Sequence, residues 1–111
     1  MGTPLVLIVD DDPGETAGFF AEKWRTEVAH DLLEALEVLS GRMPDAVAVD
    51  NQMPNADDGV AVGQELKRLY PDLYIVGCSE GWNPGNAEVA GLDAYGDATG
   101  AYAHLWGHFN S

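Results

Sequence analysis

Short apolar segments alternate with helix-forming segments five times along the chain, and this alternation constrains the fold more than any other feature. Leu5–Val9 and Ala46–Val49 are continuously apolar, and each ends directly in an aspartate. A continuous apolar run of this length is typical of a strand that is buried on both faces of a parallel sheet. The other predicted strands are Arg25–Ala29, residues 73–78, and a brief one at Ala94 and Tyr95.

The segments between these strands carry helix start and stop signals. Asp12 and Pro13 fit the N-cap and first position of a helix, and Asp31 fits the N-cap of the next one. The other boundary signals are Gly41 just past the second helix, Pro71 after the third, Asn83 with Pro84 opening a fourth that runs to about Ala90, and Thr99 capping a fifth that ends near Phe109. Strands that alternate with helices indicate parallel βαβ units, so the sequence predicts an α/β fold with a doubly wound parallel sheet of five strands.

Length and charge narrow the class of protein. The chain has 111 residues, the size of one domain, and its 19 acidic and 5 basic residues give a net charge of −14. This charge repels nucleic-acid backbones, so we expect no nucleic-acid partner. It fits either a well-solvated acidic surface or adaptation to high salt, and both interpretations stay open.

Other features bear on location and domain organisation. The sequence has no apolar run near the ~20 residues that span a bilayer and no basic segment typical of a signal peptide. Cys78 is the single cysteine, which fits a reducing compartment. We therefore expect one domain over residues 1–111 without an effector domain, located in the cytoplasm and without a membrane partner.

Polar side chains follow three of the predicted strands at the point where each strand ends. Asp10, Asp11 and Asp12 follow the first strand, Asp50 follows the third, and Ser79 follows the fourth. The carboxyl ends of parallel strands meet at one edge of the sheet, where ligands bind in such folds. The sequence therefore predicts an acidic pocket that also holds a hydroxyl group.

The predicted pocket suits phosphoryl chemistry. Clustered carboxylates raise one another's pKa, and a hard cation such as Mg²⁺ relieves their repulsion. A carboxylate can attack a phosphoryl donor and form an acyl phosphate, while the metal screens the incoming charge. The alternative, an N-cap followed by a solvated loop, explains Asp12 but not Asp10 and Asp11 together with Asp50.

The chain resembles the response-regulator receiver family in four stretches, and the resemblance as a whole extends from about residue 4 to residue 97. These stretches are residues 7–13, 45–54, 58–59 and 75–79. The resemblance implies a flavodoxin-like, three-layer sandwich and a signalling module in two-component phosphorelays rather than an enzyme. It also implies that a histidine kinase or phosphotransfer protein donates the phosphoryl group, and that a further, unidentified protein receives the signal.

The resemblance also implies a role for each site residue. Asp10, Asp11 and Asp50 would bind Mg²⁺ together with the backbone carbonyl of Gln52. Asp50 would accept the phosphoryl group, and Ser79 would contact it. Tyr95 corresponds to the aromatic switch residue of the fifth strand.

The sequence departs from the family pattern most at one position. The family's lysine after the fifth strand aligns with Ala98, and no lysine or arginine follows Arg68. The loop before Asp58 and Gly59, which includes Asp57, is one residue longer than usual. Two alternatives therefore stay open beside a phosphorylatable receiver. One is a pseudo-receiver that binds proteins without phosphate, and the other is a haloacid-dehalogenase-like phosphatase suggested by the Asp-x-Asp spacing of Asp10 and Asp12.

Overall fold

Five parallel strands form a single sheet in the computed structural model, which describes residues 2–53, 55 and 58–111. The strands are β1 (Leu5–Val9), β2 (Arg25–Ala29), β3 (Ala46–Val49), β4 (Ile75–Cys78) and β5 (Ala94–Gly96). Their order across the sheet is β2-β1-β3-β4-β5. The chain winds outward in both directions from β1, so the predicted doubly wound parallel sheet is confirmed.

Four helices connect the strands and a fifth follows β5, and together they cover both faces of the sheet. They are α1 (Gly14–Ala21), α2 (Leu32–Gly41), α3 (Asp58–Leu69), α4 (Pro84–Ala90) and α5 (Ala98–Phe109). One core cluster packs α2, α3 and α4 on one face, and a second packs α1 and α5 on the other. The result is the three-layer sandwich that the sequence predicts. Within the described part of the chain, we find no helix with the length and apolar character needed to cross a membrane.

Two of the predicted helix caps are confirmed. The Asp31 carboxylate accepts the Glu34 N–H at 2.9 Å and caps α2. Asn83 caps α4 through a reciprocal pair of hydrogen bonds with Asn86, and Pro84 occupies the first helical turn. Both caps satisfy backbone N–H groups that the first turn of a helix leaves without partners.

Two other predicted caps are wrong. Asp12 does not cap α1: the N-cap is Pro13, and no side chain accepts a hydrogen bond at that helix start. The Asp12 N–H donates to the Asp10 carboxylate at 2.9 Å, so Asp12 belongs to the turn after β1 that precedes the cap. Thr99 lies inside α5, because the Asp97 carboxylate accepts the Gly100 N–H at 2.8 Å and starts the helix at Ala98. A carboxylate is the stronger acceptor, so it takes the capping position from a nearby threonine.

Two further boundaries differ slightly from the prediction. Gly41 is the last residue of α2 rather than the residue after it. β4 begins at Ile75 because the Leu73 N–H donates to the Tyr70 carbonyl, which keeps residue 73 in the turn after α3. Met1, Pro54, Ala56 and Asp57 lie outside the described residues, including the predicted extra loop residue before Asp58.

Candidate functional site

The central strands bring the predicted carboxylates together at the carboxyl edge of the sheet. The register pairs Val9 with Val49, so Asp10 and Asp50 follow paired residues on neighbouring strands. The Asp50 N–H donates to the Val9 carbonyl at 2.9 Å and extends this pairing by one residue. Asp10, Asp11 and Asp50 each offer a carboxylate oxygen, and these oxygens lie within 4.8 Å of one another.

These carboxylates open onto a cavity of about 570 Å³. Its lining is polar and consists of Asp10, Asp11, Asp12, Asp50, Gln52, Ser79, Glu80 and Gly81. The structure therefore brings together every residue that the sequence assigns to this pocket. Gln52 and Ser79 line the same cavity as the carboxylates. Tyr95 lies apart from them in β5, half-buried, and lines a separate cavity with Ala87 and His104.

Asp10 is the carboxylate that the fold removes most from water. It is 9% exposed, and burial raises its pKa from 3.8 to about 6. The neighbouring charges of Asp50 and Asp11 raise the pKa further, while the hydrogen bond from the Asp12 N–H opposes the rise. A carboxylate in this setting gains from any cation that enters the cavity, because the cation offsets both burial and repulsion.

Cys78 lies beneath the same pocket and is unsuited to nucleophilic chemistry. Its side chain is buried at the end of β4. Burial raises the pKa of its thiol to about 12, and the charges of Asp10, Asp50 and Asp97 contribute to the rise. The thiolate is the reactive form of cysteine, so this residue acts as a small apolar side chain.

Of the described residues, no lysine or arginine lies at this edge of the sheet. All five are within the described residues, and all lie at the opposite edge: Lys23 and Arg25 at the start of β2, Arg42 after α2, and Lys67 and Arg68 in the last turn of α3. Ala98 is the first residue of α5, and it follows the acidic cap Asp97. The pocket therefore holds carboxylates and a hydroxyl but no protein cation.

The start of α3 supports the backbone on which Asp50 lies. The Gly59 N–H donates to the Asn51 carbonyl at 3.0 Å. A Cβ atom at Gly59 would overlap the Asp50 carbonyl oxygen and would lie 2.7 Å from the Asn51 Cα. Glycine is needed here because the helix backbone approaches the end of β3 too closely for any side chain.

The segment after β4 makes further contacts that sequence reasoning missed. The Ser79 hydroxyl oxygen accepts the N–H groups of Asn51 at 3.4 Å and Gly81 at 3.3 Å. The Asn51 side-chain amide donates to the Gly81 carbonyl at 2.9 Å. The Trp82 indole is buried and donates to the Val49 carbonyl at 2.8 Å. The signal in the sequence is Gly77, because a glycine inside a buried strand marks a close approach by another group.

Comparison with known proteins identifies the family. The model of the response regulator receiver domain matches residues 6–96. The chain belongs to the response regulator receiver domain family. The response regulator MprA of Mycobacterium ulcerans is 34% identical over 96 residues, which cover 83% of this chain and 40% of that protein. The chain thus spans about 40% of the length of the curated relatives that it matches.

Solved receiver domains share the fold. A CheY-like receiver domain from Methanospirillum hungatei superposes with a TM-score of 0.76 at 19% identity, covering 98% of this chain and 95% of that one. The beryllofluoride-activated receiver domain of DrrB from Thermotoga maritima gives a TM-score of 0.76 at 14% identity and covers 99% of this chain and 100% of that one. The predicted flavodoxin-like fold is confirmed, and the receiver match leaves the phosphatase alternative without support. The roles of individual site residues and the absence of an effector domain stay predictions.

Proposed function

We propose that this receiver domain accepts a phosphoryl group on Asp50 in a two-component phosphorelay. The observation that supports the proposal best is the convergence of three carboxylates within 4.8 Å beside the Ser79 hydroxyl, in one open cavity. Asp50 is only half-buried and comes from the central strand, so its carboxylate is accessible to a donor. The donor is a histidine kinase or a phosphotransfer protein, and the receiver of the signal is another protein.

The oxygen ligands of the pocket fit Mg²⁺. Asp10, Asp11 and Asp50 supply carboxylate oxygens close enough to share one ion, and the Gln52 carbonyl is the proposed fourth protein ligand. Hard oxygen ligands with room for water and phosphate oxygens are what Mg²⁺ prefers. Bound there, Mg²⁺ would screen the charge of the phosphoryl group. The buried Asp10 carboxylate would be held in its ionised form as a result.

The protein groups act on the phosphoryl group in distinct ways. A carboxylate oxygen of Asp50 attacks the phosphorus atom, the bond to the donor nitrogen breaks, and the donor imidazole leaves with the electron pair. The Ser79 oxygen accepts two backbone N–H groups, so its own O–H points elsewhere and can donate to a phosphoryl oxygen. The domain itself turns over no independent substrate in this proposal. We propose a cytoplasmic location, which the single cysteine of the chain fits.

Beryllofluoride, an analogue of the phosphoryl group, tests the proposal. We expect the protein to bind beryllofluoride only when Mg²⁺ is present, as measured by isothermal titration calorimetry. Asp50→Asn is the matched control, because it keeps the shape of the side chain and removes the oxyanion that coordinates beryllium. Binding to the wild type without Mg²⁺, or equal binding to Asp50→Asn, would contradict the proposal.

A pseudo-receiver is the second candidate, and the charge distribution favours it. All five basic side chains lie at the edge opposite the pocket, so only Mg²⁺ and Ser79 remain to stabilise a phosphoryl group. A charge-assisted hydrogen bond of the missing kind contributes roughly 1.5–3 kcal/mol. Ala98→Lys is therefore expected to increase phosphoryl occupancy after treatment with a small acyl-phosphate donor. If neither the wild type nor Ala98→Lys takes up phosphate, the pseudo-receiver function is the correct one.

A further inference from the structure

Trp82 fills a slot that Gly77 leaves open in the middle of β4. The indole is 6% exposed although it comes from the connection between β4 and α4. A Cβ atom at Gly77 would lie 2.7 Å from the indole Cδ1 and Nε1 atoms and 2.8 Å from the Leu92 side chain. Any larger residue at position 77 would displace the indole, so the glycine and the tryptophan form one packing unit.

The same indole is hydrogen-bonded to the strand that precedes Asp50, the proposed nucleophile. Its Nε1–H donates to the Val49 carbonyl at 2.8 Å in a buried hydrogen bond. Val49 is the last residue of β3 and directly precedes Asp50. The Gly81 carbonyl accepts the side-chain amide of Asn51 at 2.9 Å, which adds a second tie between the two segments. Hydrogen bonds at Gly81 and Trp82, which both follow Ser79, therefore hold residues 79–82 against residues 49–51.

Trp82 also connects the pocket to α4. It directly precedes Asn83, the N-cap of that helix. Its ring belongs to the core cluster that includes Ala87 and Ala90 on the buried face of α4. The Gly81 carbonyl accepts a further hydrogen bond from the Asn86 side chain, at 2.9 Å, so the first turn of the helix is joined to the same loop.

We propose that Trp82 is a positioning residue that holds the Ser79 loop ready for a phosphoryl group on Asp50 and couples that group to α4. The inference rests on the proposed function of Asp50. A loop that is already ordered adds little entropic cost to binding, whereas a loop that must be ordered on binding weakens it. The proposed Mg²⁺ ligands come from the segments after β1 and β3, so the metal alone does not require the loop. Loss of the Trp82 hydrogen bond should therefore weaken binding of the phosphoryl analogue more than binding of Mg²⁺.

Trp82→Phe tests the inference, because phenylalanine keeps an apolar ring and lacks the N–H donor. We expect its affinity for beryllofluoride at saturating Mg²⁺ to fall by about three- to tenfold, the effect of one hydrogen bond. We expect its affinity for Mg²⁺ alone to stay within about twofold of the wild-type affinity. Trp24→Phe is the matched control, since Trp24 is 5% exposed in the core cluster on the opposite face of the sheet. This control is expected to change neither affinity.

The outcomes separate the inference from the proposed function. If the wild type does not bind beryllofluoride, the proposed function fails. If the wild type binds and Trp82→Phe binds equally well, Trp82 is only a packing residue and the inference is overturned. Gly77→Ala provides an independent variant if Trp82→Phe does not fold, because its methyl group displaces the indole without deleting it. The same selective loss of beryllofluoride affinity is expected, and an unchanged affinity overturns the inference.

Indole fluorescence supplies a readout of the coupling. The chain has three tryptophans, so Trp82 can be observed alone in a Trp24→Phe, Trp106→Phe double variant. We expect its emission to shift when beryllofluoride binds in Mg²⁺, because the ring lies between the pocket and α4. An emission that does not change on saturation with beryllofluoride contradicts the coupling.

Discussion

Replacing Asp10 by asparagine removes one charge from the most buried carboxylate of the acidic cluster while keeping the shape of the side chain. The replacement amide oxygen can still accept the Asp12 N–H, which lies 2.9 Å from the Asp10 carboxylate. Burial and the nearby Asp50 and Asp11 charges raise the pKa of Asp10 to about 6, compared with an ordinary 3.8. We therefore expect Asp10→Asn to stabilise the metal-free protein at neutral pH.

The pKa shift sets the size and the pH dependence of this effect. The folded protein binds the Asp10 proton more tightly than the unfolded chain does. Proton binding to Asp10 therefore contributes fully to stability below the pKa of Asp10 in the unfolded chain, and this contribution is lost as the pH rises through about 6. One pKa unit corresponds to about 1.4 kcal/mol, so the ionised carboxylate costs the folded protein at most about 3 kcal/mol at pH 7.5. Asparagine does not titrate in this range. The advantage of Asp10→Asn is therefore expected to shrink to about half at pH 5.

Urea unfolding in EDTA at pH 7.5 and pH 5 measures this difference in the free energy of unfolding. Asp12→Asn is the matched control: its carboxylate is exposed in the same run, so we expect a change below about 0.5 kcal/mol. Mg²⁺ is expected to stabilise the wild type and to reduce or reverse the advantage of Asp10→Asn. A destabilised Asp10→Asn at pH 7.5 without metal, or an advantage that grows as pH falls, would show that the buried charge of Asp10 does not destabilise the folded protein.

We also expect Mg²⁺, salt and a glycine replacement to change the stability of the protein. Mg²⁺ is expected to raise the melting temperature of the wild type but not that of Asp11→Ala, and equal shifts in differential scanning fluorimetry would remove Asp11 from the metal site. NaCl is expected to raise the melting temperature of the metal-free protein, because ~0.15 M salt shortens the screening length to about 8 Å; a flat dependence would show that the 19 acidic residues do not repel one another appreciably. Gly59→Ala is expected to lower the melting temperature and to weaken Mg²⁺ binding, since its Cβ would overlap the Asp50 carbonyl; an unchanged affinity in calorimetry would mean that α3 does not support the site.

The convergence of the acidic residues could be predicted because it depends on topology. Parallel strands place their carboxyl ends at one edge, so Asp10 and Asp50 meet whatever the detailed packing. The two incorrect helix caps depend on local turn geometry that residue preferences do not specify. The chain turns at Asp12, whose N–H donates to the Asp10 carboxylate, and Asp97 rather than Thr99 accepts the N–H that caps α5.

The role of Trp82 could not be predicted, because it depends on a contact between distant parts of the chain. Val49 and Trp82 are 33 residues apart, and their hydrogen bond depends on the pairing of β3 with β4. Gly77 was the one local signal, but a glycine in a strand does not specify which group approaches it. The distribution of basic residues, unlike the role of Trp82, could be predicted. Their positions at strand starts and helix ends follow directly from the predicted elements.

Phosphorylation of Asp50 is tested most directly by the intact mass of the protein after incubation with Mg²⁺ and a small acyl-phosphate donor. We expect the wild type to gain the mass of one phosphoryl group, slowly because the pocket holds no protein cation, and Asp50→Asn to gain none. Labelling of Asp50→Asn to the same extent as the wild type, or no labelling of the wild type at any donor concentration, would contradict the claim that Asp50 is the phosphoacceptor.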